Sequence, residues 1–381
     1  MKAPRVLCIN TGGPGNLHGL RARRLAGRLQ ADVTFHDVDK TSGGRGSASR
    51  AVWRLLQSQR WDMVYQEGTG IAAGACLIRA ARAWGQRYVV SSGDPVGGFF
   101  RVTRGPLAGA FFDRYERLLY RHSAGFIGWT PYLTGAALRL GARRGVTVEG
   151  AVDLGVFRPL PAPERWAARE RFGIEPDHLV CGVVGSLNWT PRQNYCYGLE
   201  LIEALKRLRR PDVSVLIVGD GDGRPRLEAA LPAPLKARVV FAGRLPEAEV
   251  VSAMNAMDIG FVTQTLDELG SFRLTTKLPE YLACGVPVAM SPIPGFWDYA
   301  QSAGWPLPAR HPASEAFHEE LAAWLDGLDF EAVRRAAARA PSVAAARFDY
   351  DVVGERFCAF LHALLAADNA EGREHGARRS S

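Results

Sequence analysis

The chain has 381 residues, 47% of them hydrophobic and 23% charged, with a net charge of +8 carried mostly by arginine. That length exceeds one ordinary hydrophobic core, so two domains are the first expectation, and the balanced composition excludes a collagen-like, low-complexity or largely disordered chain. No run approaches the roughly 20 apolar residues of a membrane-spanning helix, and the opening Met-Lys-Ala-Pro-Arg-Val-Leu-Cys-Ile-Asn reads as a strand rather than a signal peptide; a cytoplasmic protein is expected.

Short apolar runs of the kind found in buried parallel strands come first at residues 6–9, 63–65, 88–90 and 125–128. Between them, 19–29 and 71–84 have the length and the alanine or arginine content of crossover helices. The first half therefore reads β-α-β-α, a doubly wound parallel sheet over 1–160. The second half repeats the pattern over 165–345, with strands at 179–184, 213–218, 239–242, 259–262 and 286–290 and helices at 194–208 and 247–257. Its join to the first is placed in Phe157-Arg-Pro-Leu-Pro-Ala-Pro-Glu164, where three prolines stiffen an extended connection. A last helical pattern at about 350–367 lies in a segment, 346–367, expected to pack back across the domains. The polar residues 368–381 read as a disordered tail.

Six cysteines, Cys8, Cys76, Cys181, Cys196, Cys284 and Cys358, are scattered without a Cys-x-x-Cys pair and read as reduced core residues. The spread positive charge fits an anionic ligand or a membrane surface and does not require nucleic acid.

Several separated segments carry more. Thr276-Lys-Leu-Pro-Glu-Tyr-Leu-Ala-Cys-Gly-Val-Pro-Val288, Glu149-Gly-Ala-Val-Asp-Leu-Gly-Val-Phe-Arg-Pro159, Val184-Gly-Ser-Leu-Asn-Trp-Thr-Pro-Arg-Gln-Asn194 and Val218-Gly-Asp-Gly-Asp-Gly223 stand in that sequence-wide arrangement. Together they resemble the retaining glycosyltransferases of the large group called family 4, over roughly residues 5 to 300. The resemblance implies the GT-B fold: an α/β architecture of two Rossmann-like domains with parallel sheets facing a central cleft. It also implies transfer of a sugar from a nucleoside-diphosphate sugar to an acceptor hydroxyl, with retention of configuration, no cofactor and no metal. Glu149 stands where the family usually has Asn.

The residues themselves give these segments physical content. Thr275 and Thr276 are N-cap candidates, Pro279 suits a first turn and Gly285 a stop, so a short helix is expected at 277–284. Its free amides, with loop residues Ser271, Phe272 and Arg273, would favour a diphosphate. Glu280 sits one turn inside; the resemblance gives it the ribose hydroxyls, and the plain alternative is a surface glutamate paired with Lys277. Arg192 is matched to a basic residue against the donor diphosphate. Gly185 and Ser186 line the same turn, Ser186 standing where many members have a second Arg, and Gly219 and Gly221 form a turn near the nucleotide. Phe272 replaces a glutamate that many members direct at the donor sugar.

In the first half, Gly13 and Gly15 follow the first strand, where a Rossmann fold brings backbone close to a ligand, but the full G-x-G-x-x-G spacing is absent. Asp94 falls just after an apolar strand, placed to orient the acceptor hydroxyl or to stabilise positive charge at the anomeric carbon; a turn aspartate before proline is the alternative. Asn16, His18 and Glu67 are acceptor-side candidates by the same edge-of-strand logic. The Asp220-Gly-Asp222 triplet sits in a glycine-rich turn without further carboxylates or histidines and is not read as a metal site. With Arg192 and Lys277, Asp94 completes the catalytic set. The acceptor is a saccharide, a lipid-linked molecule or a small molecule. The basic, aromatic stretches 99–104 and 111–117 offer peripheral membrane contact, or are an ordinary amphipathic helix and its approach. A silent glycosyltransferase-like subunit that binds nucleotide or a partner stays open on Ser186 and Phe272.

Overall fold

A computed structural model describes the backbone of residues 3–39 and 44–377, and side-chain environments up to residue 367. The chain forms two compact units, one running to Gly150 and resuming at Tyr350, the other spanning Ala151–Asp349.

In the first unit the strands are β1 (Arg5–Asn10), β2 (Asp32–Asp37), β3 (Met63–Glu67), β4 (Tyr88–Ser92), β5 (Gly125–Gly128) and β6 (Gly145–Thr147), in the order β2-β1-β3-β4-β5-β6. Every pairing is parallel. The four central strands are buried on both faces, which is why they read as continuous apolar runs. Leu7, Ile9, Val64, Val90 and Phe126 pack with Leu77 and Leu119 of the covering helices Ile71–Trp84 and Pro106–Arg121.

The last helix, Tyr350–Ala377, belongs to this unit. Phe357 meets the Tyr65 ring edge-on at 5.0 Å, and Arg356 pairs with the buried Glu149. A charge partner from this helix thus accounts for an acid where the family usually carries an amide. Gly125 lies against Phe360 and Leu364 so closely that an added Cβ would sit 2.6 Å from the Phe360 ring. The helical backbone continues over 368–377, where the composition reads as a disordered tail; alanine and glutamate in Ala-Glu-Gly-Arg-Glu-His-Gly-Ala favour helix enough to extend a helix already anchored. Residues 378–381 lie outside the described residues.

The second unit repeats the design. Its strands β7 (Leu179–Val184), β8 (Val213–Val218), β9 (Val239–Gly243), β10 (Ile259–Val262), β11 (Val288–Met290) and β12 (Gly304–Pro306) form a parallel sheet in the order β12-β11-β10-β7-β8-β9. The proline-rich 157–164 segment, read from sequence as the join, lies on this unit. Leu160 N donates to Asn255 Oδ1 at 2.8 Å and Asn255 Nδ2 to Arg158 O at 3.1 Å, so the chain changes unit earlier, between Gly150 and Ala151.

The helix expected at 194–208 is shorter, Leu199–Leu205, because Asn194 (φ 48°) and Gly198 (φ 94°) hold a left-handed turn ahead of it. The short helix expected at 277–284 forms as Lys277–Ala283, and Gly285 (φ 74°) ends it. Its cap is Thr275, whose Oγ1 accepts from Lys277 N at 3.3 Å; Thr276 is already helical and its side chain makes no capping bond. No disulfide forms among the six cysteines, five of which are buried.

Candidate functional site

In an open parallel sheet the crevice outside the carboxyl ends opens where the strand order reverses, because the connections leave there in opposite directions. The first unit reverses between β1 and β3, the second between β7 and β10. The residues singled out in the sequence collect at these two places.

After β1, Asn10 organises the glycine loop. Its Oδ1 accepts from Gly12 N at 3.0 Å, and its Nδ2 donates to Gly13 O at 2.9 Å and to Asp37 Oδ1 at 2.8 Å. Gly13 and Gly15 adopt φ values of 100° and 70°, where a side chain would be strained. Asn16 caps the Leu17–Ala26 helix by accepting from Gly19 N at 2.8 Å, which gives it a structural task at the loop.

That helix directs Arg21 into the sheet edge, a residue the sequence reading passed over. Arg21 is 3% exposed and Glu67, at the end of β3, is 0% exposed. Arg21 Nη1 donates to Glu67 Oε2 at 2.8 Å, and Nη2 to the carbonyl oxygens of Val148 and Glu149 at 2.8 and 3.2 Å. The Tyr65 hydroxyl donates to the same carboxylate, and the guanidinium lies 4.7 Å from the Trp129 ring. Burial pushes the Glu67 carboxyl up, but the Arg21 charge, with His18 and Tyr65, outweighs it and holds it at about 2.

His18 Nδ1 stands 3.7 Å from Glu67 Oε1, an ion-pair rather than a hydrogen-bond distance, with its ring 5.5 Å from Trp129. Glu67 raises the proton affinity of His18, partial burial works against it, and the Asp94 charge adds to the rise. Asp94 is half-buried beyond β4, its backbone held by Ser92 Oγ. His18, Glu67, Asp94 and Trp129 thus share one edge, lined by a carboxylate and an imidazole with raised proton affinity beside an indole face.

In the second unit, Gly219 (φ 135°) packs so tightly on the turn after β7 that a Cβ there would lie 1.8 Å from Gly185 O. Gly221 lies against the Leu187 carbonyl in the same way. Asp222 accepts from Trp189 N at 2.8 Å and Asp220 from Gly221 N at 2.8 Å, so both carboxylates brace this turn. Among the described residues no group of three potential metal ligands gathers anywhere.

Arg192 is exposed on the 185–194 turn and makes no ion pair or hydrogen bond among the described residues; Ser186 is exposed beside it. Gln193 ties that turn to the one after β10, its Nε2 donating to Thr265 Oγ1 at 3.0 Å and Asp267 Oδ2 at 2.8 Å. Asp267 in turn accepts from Leu269 N and Gly270 N, shaping the loop that carries Ser271, Phe272 and Arg273. The buried Glu200 adds a second tie, accepting from Tyr195 OH at 2.9 Å and Thr263 Oγ1 at 2.7 Å. Gln193 and Glu200 were missed in the sequence because an amide in a polar turn and an acid in the first turn of a short helix carry no distinguishing pattern.

Glu280 is 7% exposed and pairs with Lys277 Nζ at 2.5 Å. The Lys277 contact is therefore present, but on a buried acid rather than a surface one. Burial raises the Glu280 carboxyl and Lys277 pulls it back. Phe272 is exposed and brings no carboxylate. Away from this site, Phe99, Leu107 and Phe111 are exposed on the helices Val96–Arg104 and Pro106–Arg121, and no described helix is long and apolar enough to cross a membrane.

Two parallel sheets with flanking helices and a reversal in each define the GT-B architecture of glycosyltransferases. The family description "Glycosyl transferase 4-like domain" fits residues 5–149 and "Glycosyl transferases group 1" fits 178–326; the chain belongs to the group 1 glycosyltransferases. It is 32% identical over 188 residues to a 2-deoxystreptamine glucosyltransferase of Streptomyces kanamyceticus, a stretch covering 48% of this chain and 46% of that one. It is 34% identical over 151 residues to a 2-deoxystreptamine N-acetyl-D-glucosaminyltransferase of Streptomyces fradiae, covering 38% and 34%. The chain thus spans less than half the length of these curated relatives. Among solved structures, Anabaena HepE in complex with UDP-glucose superposes with a TM-score of 0.73 at 17% identity, over 94% of this chain and 99% of that one. WaaG, a glycosyltransferase involved in lipopolysaccharide biosynthesis, superposes with a TM-score of 0.64 at 16% identity, over 93% and 98%.

Proposed function

We propose that the protein transfers a hexose or related sugar from a nucleoside-diphosphate sugar to an acceptor hydroxyl, with retention of anomeric configuration, the second unit holding the donor. The observation that carries this is the buried Glu280–Lys277 pair beside the β7/β10 reversal, with the exposed Arg192 on the neighbouring turn. Glu280 accepts the ribose hydroxyls, Ser271, Phe272 and Arg273 shape the wall beside the sugar, and Gly185, Ser186, Gly219 and Gly221 bring backbone close to the nucleotide.

As the bond to the anomeric carbon breaks, the departing diphosphate gains negative charge. Groups that meet this charge more strongly in the transition state than in the bound donor accelerate the step. Arg192 and Lys277 fill that role, and no metal is called on. The Lys277–Ala283 helix has only seven residues, so its dipole adds little beside two full cations. On the first unit, Gly13 and Gly15 present backbone, Asp94 orients the acceptor hydroxyl, and Asn16, His18 and Glu67 shape its surroundings.

The relatives named for 2-deoxystreptamine and the HepE complex with UDP-glucose favour a uridine donor and a small polar acceptor. We place the protein in the cytoplasm, with Phe99, Leu107 and Phe111 available for contact at a membrane surface.

A thermal-shift series with UDP, GDP, ADP, CMP and their sugars, run on the wild type and on Glu280→Ala, tests the donor site. A ligand that binds only the folded state raises the midpoint in proportion to RT ln(1 + [L]/Kd). Stabilisation by one nucleoside diphosphate, lost in the variant, is expected; no stabilisation by any of them at millimolar concentration removes the assignment.

A further inference from the structure

The first unit has a second edge with a different chemistry. Strands β4, β5 and β6 are neighbours and run parallel, so the segments leading into them meet at the amino edge of the sheet, opposite the carboxyl edge that carries His18, Glu67 and Asp94. There they enclose a recess of about 380 Å³ whose lining includes Arg87, His122, Ser123, Arg143 and Arg144, with Leu364 of the last helix on one side. That volume lies at the lower end of the ~300–1,000 Å³ typical of small-molecule sites.

The floor is rigid. Ala124 N donates to Tyr88 O at 2.8 Å and Phe126 N to Arg144 O at 2.9 Å, while Gln86 Nε2 donates to Trp61 O at 3.1 Å. Arg87 is held in place by a bond from Nη2 to Leu364 O at 2.5 Å. None of the lining residues is acidic.

That sets the recess apart from the places where arginines are matched to carboxylates, as in Arg28–Asp351, Arg165 and Arg169 with Asp258, Arg209–Asp326 and Arg310–Glu320. Arg143 and Arg144 are exposed and make no side-chain ion pair or hydrogen bond among the described residues. Burial lowers the proton affinity of His122, and the charges of Arg82, Arg121 and Arg143 lower it further, so two more cations, Arg82 and Arg121, bear on the same point as Arg143.

We propose that this recess binds a phosphate-bearing anion at a site separate from the sugar-nucleotide site, with Arg143 and Arg144 supplying guanidinium forks at its mouth. A guanidinium matches a phosphoryl group through two parallel N–H donors, and adjacent guanidiniums with no carboxylate between them repel one another until an anion enters. The chemistry is that of a phosphoryl or diphosphoryl group, carried either by a soluble metabolite or by an anionic lipid headgroup.

The test uses the full chain and the paired substitution R143Q/R144Q, with Arg192→Gln as the donor-site control. Titration calorimetry with inorganic pyrophosphate at constant ionic strength reads the soluble source. Co-sedimentation with phosphatidylcholine vesicles, with and without phosphatidylglycerol, reads the headgroup. The expected result is that R143Q/R144Q weakens binding of one probe by about tenfold or more while keeping the wild-type melting midpoint and UDP response, and that Arg192→Gln leaves this component in place. Loss confined to pyrophosphate assigns a soluble ligand, and loss confined to the anionic vesicles assigns a headgroup. Should the paired variant lower the midpoint, R143K/R144K, which keeps both charges and loses both forks, replaces it and is expected to bind at an intermediate level. Equal binding of both probes by wild type and variant, or loss in Arg192→Gln alone, overturns the proposal.

Discussion

The Arg21–Glu67 pair gives a stability prediction that can be worked from its geometry. Glu67 is fully buried and its carboxyl is held at about 2, against an ordinary value of 4.5. The folded value lies below the unfolded one, so the ionised form stabilises the fold above pH 4.5, and this contribution fades as pH falls toward 2. At about 1.4 kcal/mol per pH unit the difference amounts to about 3 kcal/mol at pH 7 and shrinks to about half of that at pH 3. Substituting Glu67→Gln keeps the shape but leaves the Arg21 guanidinium buried without a counter-charge. Breaking one side of a buried pair in this way typically costs about 3–5 kcal/mol.

For a unit of this size that corresponds to a fall of roughly 6–20 °C in its melting midpoint. The assay is thermal and urea unfolding of wild type and Glu67→Gln at pH 7 and pH 3, followed by tryptophan fluorescence, to which Trp129 beside Arg21 contributes. The gap between the two proteins should narrow by about 2 kcal/mol at the lower pH. Replacing both partners, as Arg21→Met with Glu67→Leu, should recover much of the loss, since neither charge is then stranded. A loss below about 1 kcal/mol, or a gap that stays constant with pH, would refute the electrostatic reading of the pair.

Arg192→Ala should leave stability within about 0.5 kcal/mol, because the side chain is exposed and unpaired, while weakening nucleoside-diphosphate binding about tenfold; an unchanged Kd by calorimetry would remove Arg192 from the donor site. Gly219→Ala sets a Cβ 1.8 Å from Gly185 O at a φ of 135° and should destabilise the second unit by about 2 kcal/mol or more, read as a lower melting midpoint. A wild-type midpoint would show that the turn yields easily. Gln193→Ala frees the 185–194 turn from Thr265 and Asp267; steady-state kinetics should show the donor KM rising about threefold to tenfold with kcat little changed, and an unchanged KM would mean that the tie does not position the donor.

Much of the fold is written in the sequence as burial. Strands such as β1, β7 and β8 are covered on both sides, and their residues are almost uniformly apolar. Three of the four strands at the sheet edges, all but β9, escaped notice for the converse reason. β2 reads Asp-Val-Thr-Phe-His-Asp and is largely exposed, and β6 and β12 have three residues each, too few to show alternation. At the site, Glu67 and Asp94 were legible because they end apolar strands. Arg21 was hidden in an Arg-Ala-Arg-Arg run, and its only local signal is the face it shares with His18 and Leu25, three residues before it and four after. The Glu149 partner lay 207 residues away on Arg356, a separation no local pattern spans.

The return of the Tyr350–Ala377 helix makes the first unit discontinuous in the chain, with all of 151–349 inserted before its last element. Its order of completion during synthesis follows. At roughly 5–20 residues per second, some 10–40 s separate emergence of the sixth strand from emergence of this last helix. Through that interval the surfaces of Tyr65 and Gly125 that later meet Phe357, Phe360 and Leu364 stay bare, while the second unit gains every strand it needs before the last helix emerges. The half made first is thus the half finished last, and a nascent chain halted before residue 350 presents an open apolar face to chaperones rather than a smaller folded protein.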